Sequence, residues 1–296
     1  MGARSWLAEA AVAGGAELVD PSQAEGLVWA SPAAPDELAA LLEANPQLRW
    51  VQLPWAGIEP YVELVASHPD RTWTCGKGVY AEPVAELALM FLLAGFRGLG
   101  IYGRASSWGL PQGRNLLGAK VVVAGGGGIA EAFLRLLVPF GCDTTVVRRT
   151  GAPVDGADRV VTFEQLDEAL HGADALVLAL ALTPETHHLI DRRRLDLLAE
   201  GAWLVNVARG AHVVTDDLVA ALDDGTIGGA GLDVTDPEPL PDRHPLWAFR
   251  NVLITPHVGN TPEMAVPLLS ARITENVRRW GAGEALLGPV DPAAGY

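Results

Sequence analysis

The feature that most limits the fold of this chain is its alternation of short, nearly unbroken apolar runs with helical patterns. Runs of strand length stand at residues 26–30, 48–53, 120–124, 144–148, 159–162, 175–180, 202–207, 229–234 and 251–255. Helical patterns fall at residues 35–44, 81–96, 129–140, 163–170, 191–198, 215–223 and 262–280. Strands that are apolar on both faces and separated by helices belong to parallel sheets covered on both sides, which makes the chain an α/β protein. Seven of the nine runs follow Lys120, so a larger sheet is expected there. The first two runs belong to a smaller sheet, to which the last helix returns. With 296 residues, 49% of them hydrophobic, the chain is long enough for two domains and apolar enough to bury their cores.

Several classes of function are excluded early. The net charge of -15 repels a phosphate backbone, so no nucleic acid is expected as partner. No apolar run approaches the roughly 20 residues of a membrane span. The longest, at 87–93, is bounded by Glu86 and Arg97. Residues 1–6 lack an apolar signal core, and Trp6 stands where a myristoylation signal needs Ser or Thr. Cys75 and Cys142 are too few and too far apart for a disulfide framework or a zinc ribbon, which suits a reducing cytoplasm.

Residues 120–132 read KVVVAGGGGIAEA, a strand, a glycine turn and a helix. Gly125, Gly127 and Ala130 take the three small-residue positions of a dinucleotide-binding turn of Rossmann type. The first turns the chain, the second admits a pyrophosphate, and the third allows close helix packing. Backbone N–H groups at the helix start, at Gly128 and Ile129, then face the phosphates. Many βα turns are glycine-rich without holding a nucleotide; the flanking strand, helix and second strand favour the dinucleotide. About 20 residues on, a turn built for NAD places a carboxylate at the ribose. Here the next strand ends in Arg148-Arg149. Guanidinium groups there match a 2′-phosphate, so NADP(H) is expected as the preferred cofactor, with NAD(H) also possible. Two solvated arginines at a strand end are the alternative.

From about residue 50 to 259 the chain resembles the D-isomer-specific 2-hydroxyacid dehydrogenases. The ordered motifs are WAGIE at 55–59, GVYAEPVAE at 78–86, the glycine turn, LTPETHHL at 182–189, VNVARG at 205–210, GLDVTDPEPL at 231–240 and TPHVG at 255–259. The resemblance implies a substrate domain, flavodoxin-like, from residues 1–80 and 263–296. It implies a doubly wound cofactor domain from residues 81–262, with a cleft between the two. It further implies a catalytic set of Arg209, Glu238 and His257. A planar guanidinium at Arg209 grips the carboxylate of a 2-oxo acid, and His257 protonates the alkoxide left by hydride addition. Glu238 favours the charged imidazole and fixes its ring; Asp236 is the nearby competitor for that role. Asp233 matches the aspartate that meets the nicotinamide carboxamide, and Arg209, His257 and Gly259 are also expected to border the cofactor. Val207 and Ala208 would line the nicotinamide, and Leu180 and Ala181 the adenine. Ala181 replaces a proline usual in the family. Trp55, Ala56 and Gly57 match the loop that meets the substrate carboxylate. Ordinary sheet packing is the competing reading for these supporting positions.

The other histidines, His68, His171, His187, His188, His212 and His244, match no catalytic position and are read as surface or structural. A metal at His187-His188 is not expected, because adjacent side chains should diverge. Departures from the family narrow the substrate. Phosphoglycerate dehydrogenases carry an arginine where this chain has Leu53 and Pro54, formate dehydrogenases a glutamine in place of Glu238, and phosphite dehydrogenases a lysine nearest Trp55. What remains resembles the NADPH-dependent glyoxylate/hydroxypyruvate and related 2-oxo acid reductases, giving a D-2-hydroxy acid. Relatives dimerise through the cofactor domain, and the apolar 81–96 helix fits a homodimer interface. Relatives also begin with a strand that residues 1–5 do not offer, so the small sheet is expected to be one strand short, or the start internal to a longer product. The rival function is a non-catalytic nicotinamide-dinucleotide sensor or corepressor on the same fold.

Overall fold

The computed structural model describes residues 5–31 and 34–291. The missing first strand was expected at residues that lie, apart from Ser5, outside this range; Ser5 is already helical. The chain runs α1 (Ser5–Ala13), β1 (Gly26–Val28), α2 (Pro35–Ala44), β2 (Trp50–Gln52), α3 (Val62–Ser67) and β3 (Thr72–Thr74). It continues through α4 (Ala81–Phe96), α5 (Leu99–Tyr102), β4 (Lys120–Ala124), α6 (Gly128–Leu137), β5 (Asp143–Val147) and β6 (Arg159–Val161). Then follow α7 (Leu166–Leu170), β7 (Ala175–Leu178), α8 (Arg192–Leu195), β8 (Trp203–Asn206), α9 (Thr215–Asp223), β9 (Gly229–Leu232), β10 (Val252–Ile254) and α10 (Pro262–Ala282). Contacts divide it into two units, Met1–Tyr80 with Thr261–Tyr296, and Ala81–Asn260.

The first unit is built on a three-stranded parallel sheet in the order β1-β2-β3. Strand β3 was not foreseen: Thr-Trp-Thr carries one large apolar side chain and follows a polar turn, so no apolar run marks it. Leu38, Leu42, Val51, Leu53, Ile58 and Trp73 form the core. The returning helix α10 is tied to β2 by a buried polar contact, Asn276 donating to Gln52 Oε1 at 2.9 Å. Trp280 of the same helix stacks on Trp50 with centroids 5.7 Å apart. Helix α1 lies against α10, where Thr274 Oγ1 donates to the Ala10 carbonyl at 2.9 Å.

The second unit is a seven-stranded parallel sheet in the order β10-β9-β8-β7-β4-β5-β6. Chain order reverses between β4 and β7, which opens a crevice beyond the strand ends there. Helices cover both faces, so β7 and β8 are buried along their whole length. Helix α4 owes its apolar character to this unit: Phe91, Leu92 and Phe96 are buried in its core. The helix can lie so close because small residues receive it. A Cβ on Gly231 would stand 2.4 Å from Phe91 Cγ, and one on Gly95 2.2 Å from the Trp203 ring.

Gly231→Ala therefore forces Phe91 off its position, and overpacking of this kind costs about 1–3 kcal/mol. Gly151→Ala, whose Cβ would meet nothing within 4 Å, serves as the control. A lowered urea midpoint for the first and an unchanged one for the second is the expected outcome.

Candidate active site

The carboxyl ends of β4, β5, β7, β8, β9 and β10 carry almost every residue singled out in the second unit. Gly125 follows β4 with φ +116°, and a Cβ there would stand 2.1 Å from the Ala179 carbonyl oxygen. Both the turn and the segment after β7 therefore require glycine. Gly127 differs. Its backbone, φ -98°, suits any residue, and a Cβ on it would meet nothing within 4 Å. Nothing in the protein demands glycine there; the open space at the start of α6 is what a pyrophosphate approaching the N–H groups of Gly128 and Ile129 needs. Ala130, the third small position, is buried. This is the fit expected for a dinucleotide.

The two arginines after β5 have different surroundings. Arg148 lies across Gly126, where a Cβ would come within 2.9 Å of its Cδ, and its Nη1 donates to the Ala152 carbonyl at 3.3 Å. Arg149 is exposed. Hydrogen bonding by Thr183 chiefly, with a smaller contribution from the charge of Arg149, holds the Glu185 carboxyl below its ordinary range. Glu185 is thus an acidic neighbour of Arg149 that the spacing rule did not reveal, because it comes from the segment after β7. Leu180 and Ala181, on that same segment, are half-buried.

Beyond β8, Asn206 is buried and staples its own turn. Its Nδ2 donates to the Arg209 carbonyl at 2.8 Å, and its Oδ1 accepts the Ala208 N–H at 3.0 Å. Val207 and Ala208 are buried beneath the turn, and Arg209 is half-buried, with Nη1 donating to the Ala208 carbonyl at 2.8 Å. Asn206 was not singled out beforehand, although it is the Asn of VNVARG. Gly210 is needed next, since a Cβ would lie 2.0 Å from the Thr235 carbonyl.

Asp233, just past β9, is buried and accepts three hydrogen bonds from the segment after β10. Its Oδ1 takes Thr255 Oγ1 at 2.5 Å and the Val258 N–H at 2.8 Å. Its Oδ2 takes the Gly259 N–H at 2.9 Å. Between them His257 is held at φ 54°, its own N–H donating to the Asp233 carbonyl at 2.8 Å. A left-handed histidine is costly and persists only when its surroundings over-determine it. The result is that His257 Nδ1 stands 2.7 Å from Glu238 Oε1, with both side chains about half exposed. Glu238, and not Asp236, is the carboxylate at the imidazole. A ring that gives Nδ1–H to Glu238 keeps Nε2 as the nitrogen able to exchange a proton.

Trp55, Ala56 and Gly57 belong to the first unit, past β2. Trp55 lies 5.8 Å from the Tyr80 ring, and its carbonyl accepts the Gly76 N–H at 2.8 Å. One expectation is corrected: the His187 and His188 rings do not diverge. Their centroids are 3.8 Å apart, because His188 takes a left-handed backbone with φ 51°. No group of three His, Cys, Asp or Glu able to hold a metal occurs among the described residues. His212 is fully buried. Burial pushes its imidazole below the ordinary range, opposed by the Thr186 and Leu180 carbonyls and reinforced by Arg209 and His187.

Residues 88–259 match the family model for the D-isomer specific 2-hydroxyacid dehydrogenase, NAD binding domain. The chain belongs to this family. It is 37% identical over 289 residues to an uncharacterized protein of the proB 3′ region of Corynebacterium melassecola, covering 96% of this chain and 94% of that one. It is 30% identical over 284 residues to glyoxylate/hydroxypyruvate reductase A of Serratia proteamaculans, covering 91% and 87%. A D-isomer specific 2-hydroxyacid dehydrogenase of Xanthobacter autotrophicus, solved with NADPH and MES, superposes with TM-score 0.84 at 31% identity, over 100% of this chain and 98% of that one. The protein is thus an NAD(P)-dependent oxidoreductase of the 2-hydroxyacid dehydrogenase family. Among the described residues, no helix is long and apolar enough to cross a membrane.

The two glycines of the turn separate fold from binding. Gly125→Ala should lose about 2 kcal/mol or more of stability, because both its φ and its neighbour forbid a side chain. Gly127→Ala should leave stability within about 0.5 kcal/mol. It should weaken binding of the nicotinamide dinucleotide at least about tenfold, read by calorimetric titration of NADPH and of NADH.

Proposed function

We propose that this dehydrogenase reduces a small 2-oxo acid of the glyoxylate/hydroxypyruvate type to a D-2-hydroxy acid, with NADPH as preferred cofactor. The observation that carries the reading is the 2.7 Å contact between His257 Nδ1 and Glu238 Oε1, at the strand ends that also carry Arg209 and the glycine turn. NADPH, when bound, supplies the hydride. The protein's own residues do the rest. Arg209 binds the substrate carboxylate and polarises the keto group. His257, oriented by Glu238, gives its Nε2 proton to the oxygen as negative charge builds there. A sensor that only bound the dinucleotide would have no use for that pair. On the resemblance, Trp55, Ala56 and Gly57 meet the substrate, and Asp233 and Gly259 lie at the nicotinamide end, beside Val207 and Ala208.

The preference for NADPH rests on Arg148 and Arg149. Exposed Arg149 is the better placed of the two to meet a 2′-phosphate, since Arg148 already gives its Nη1 to a carbonyl. Homodimerisation through the cofactor unit belongs to the same reading. Helix α4 buries one face in its own core but leaves Met90 exposed and Leu87, Leu89 and Leu93 part-exposed, and exposed Leu99, Tyr102, Trp108 and Leu110 extend that apolar surface. Two free thiols, Cys75 and Cys142, suit a reducing cytoplasm.

Oxidation of NADPH and of NADH, followed by absorbance against glyoxylate, hydroxypyruvate, pyruvate and phenylpyruvate, tests the proposal. Faster turnover with NADPH, lost in an Arg148→Ser/Arg149→Ser double variant, is expected. His257→Gln should lower kcat by about 100-fold to 10,000-fold while still binding NADPH. No turnover by the wild type with any of these acids, despite tight cofactor binding, would favour the sensor.

A further inference from the structure

His212 lies outside the roles assigned so far, yet it is buried between the two segments that flank the proposed cofactor site. Its Nδ1 stands 2.9 Å from the Thr186 carbonyl oxygen, and its Nε2 stands 3.3 Å from the Leu180 carbonyl oxygen. The segment it touches begins at Ala179 and Leu180, the residues packed against Gly125. Inside that segment, Thr186 Oγ1 donates to the Ala181 carbonyl at 2.8 Å and accepts the Thr183 N–H at 2.8 Å. His212 itself sits two residues after Gly210, whose backbone is wedged against Thr235. The backbone around the ring is bonded to the same segment, with His188 N–H donating to the Ala211 carbonyl and Ile190 N–H to the His212 carbonyl. One side chain therefore bridges the wall beside the glycine turn and the turn that carries Arg209.

We propose that His212 is a positioning residue for the dinucleotide, holding the Leu180–Thr186 wall in its binding conformation and in register with Arg209; this rests on the reading of that wall as the adenine side of the cofactor site. A neutral imidazole carries one N–H and bonds one of the two carbonyls at a time. The shorter contact, to Thr186, takes it. Removing the ring leaves a buried carbonyl without its donor and lets the wall relax away from the turn.

The test is calorimetric titration of NADPH into wild type, His212→Leu and His212→Asn, together with KM and kcat for a 2-oxo acid and a thermal midpoint for each. Asparagine places an amide donor where Nδ1 stands and should restore the bond to Thr186. His212→Leu should weaken NADPH about tenfold or more, while His212→Asn stays within about threefold of wild type. The KM for the oxo acid should change much less than the affinity for NADPH. Equal NADPH affinity in wild type and His212→Leu would overturn the proposal. So would a leucine variant and an asparagine variant weakened alike. Failure of the wild type to bind NADPH would instead overturn the cofactor reading on which it rests.

Discussion

The buried carboxylate of Asp233 is the interaction on which the His257 loop, at one end of the larger sheet, depends. It stands at the end of β9 and accepts the hydroxyl of Thr255 and the N–H groups of Val258 and Gly259. Those three bonds close the segment after β10 into a tight loop and hold His257 in a backbone conformation that histidine does not choose alone. The gain from a buried, charge-assisted set of hydrogen bonds outweighs the strain of one left-handed residue. In return the imidazole meets Glu238 without having to search for it. Preorganisation of this kind is how a protein reduces the entropic cost of assembling an acid, a base and a substrate at once.

The parallel sheet makes such an assembly possible. All seven strands point the same way, so loops that are far apart in sequence emerge along one edge. Reversal of strand order between β4 and β7 separates the loops to either side and leaves the glycine turn exposed between them. Gly125 and Gly127 serve different masters within that turn. The first is demanded by the backbone and by the Ala179 carbonyl pressed against it, the second only by whatever approaches from outside.

Much of this was legible in the sequence because it is local. Buried parallel strands read as apolar runs, and six of the seven strands of the larger sheet lie entirely within the runs foreseen for them; β5 begins one residue earlier, at Asp143. The short β3 was missed because its one large apolar residue, Trp73, stands between threonines after a polar turn and makes no apolar run. Roles set by tertiary contact were harder to see. Nothing near His212 announces that its ring will lie between two carbonyls from a segment about 30 residues earlier. Nothing local in VNVARG marks Asn206 as the residue whose side chain staples the Arg209 turn. Arg148 and Arg149 are indistinguishable as a dipeptide, and only the space above Gly126 separates them. The His187-His188 rings come together through a left-handed backbone that no periodicity rule anticipates.

The most direct measurement is single-turnover hydride transfer in an Asp233→Asn variant loaded with NADPH, alongside its affinity for that cofactor. An asparagine replaces one acceptor oxygen with an N–H₂ group facing backbone N–H donors, so the His257 loop should lose its geometry. The account predicts that, with NADPH saturating, the chemical step is slowed by about 100-fold, as misplacement of a reacting group by about 1 Å produces, beyond any affinity lost at the nicotinamide contact. Hydride transfer at the wild-type rate, or a loss confined to cofactor binding, would contradict it.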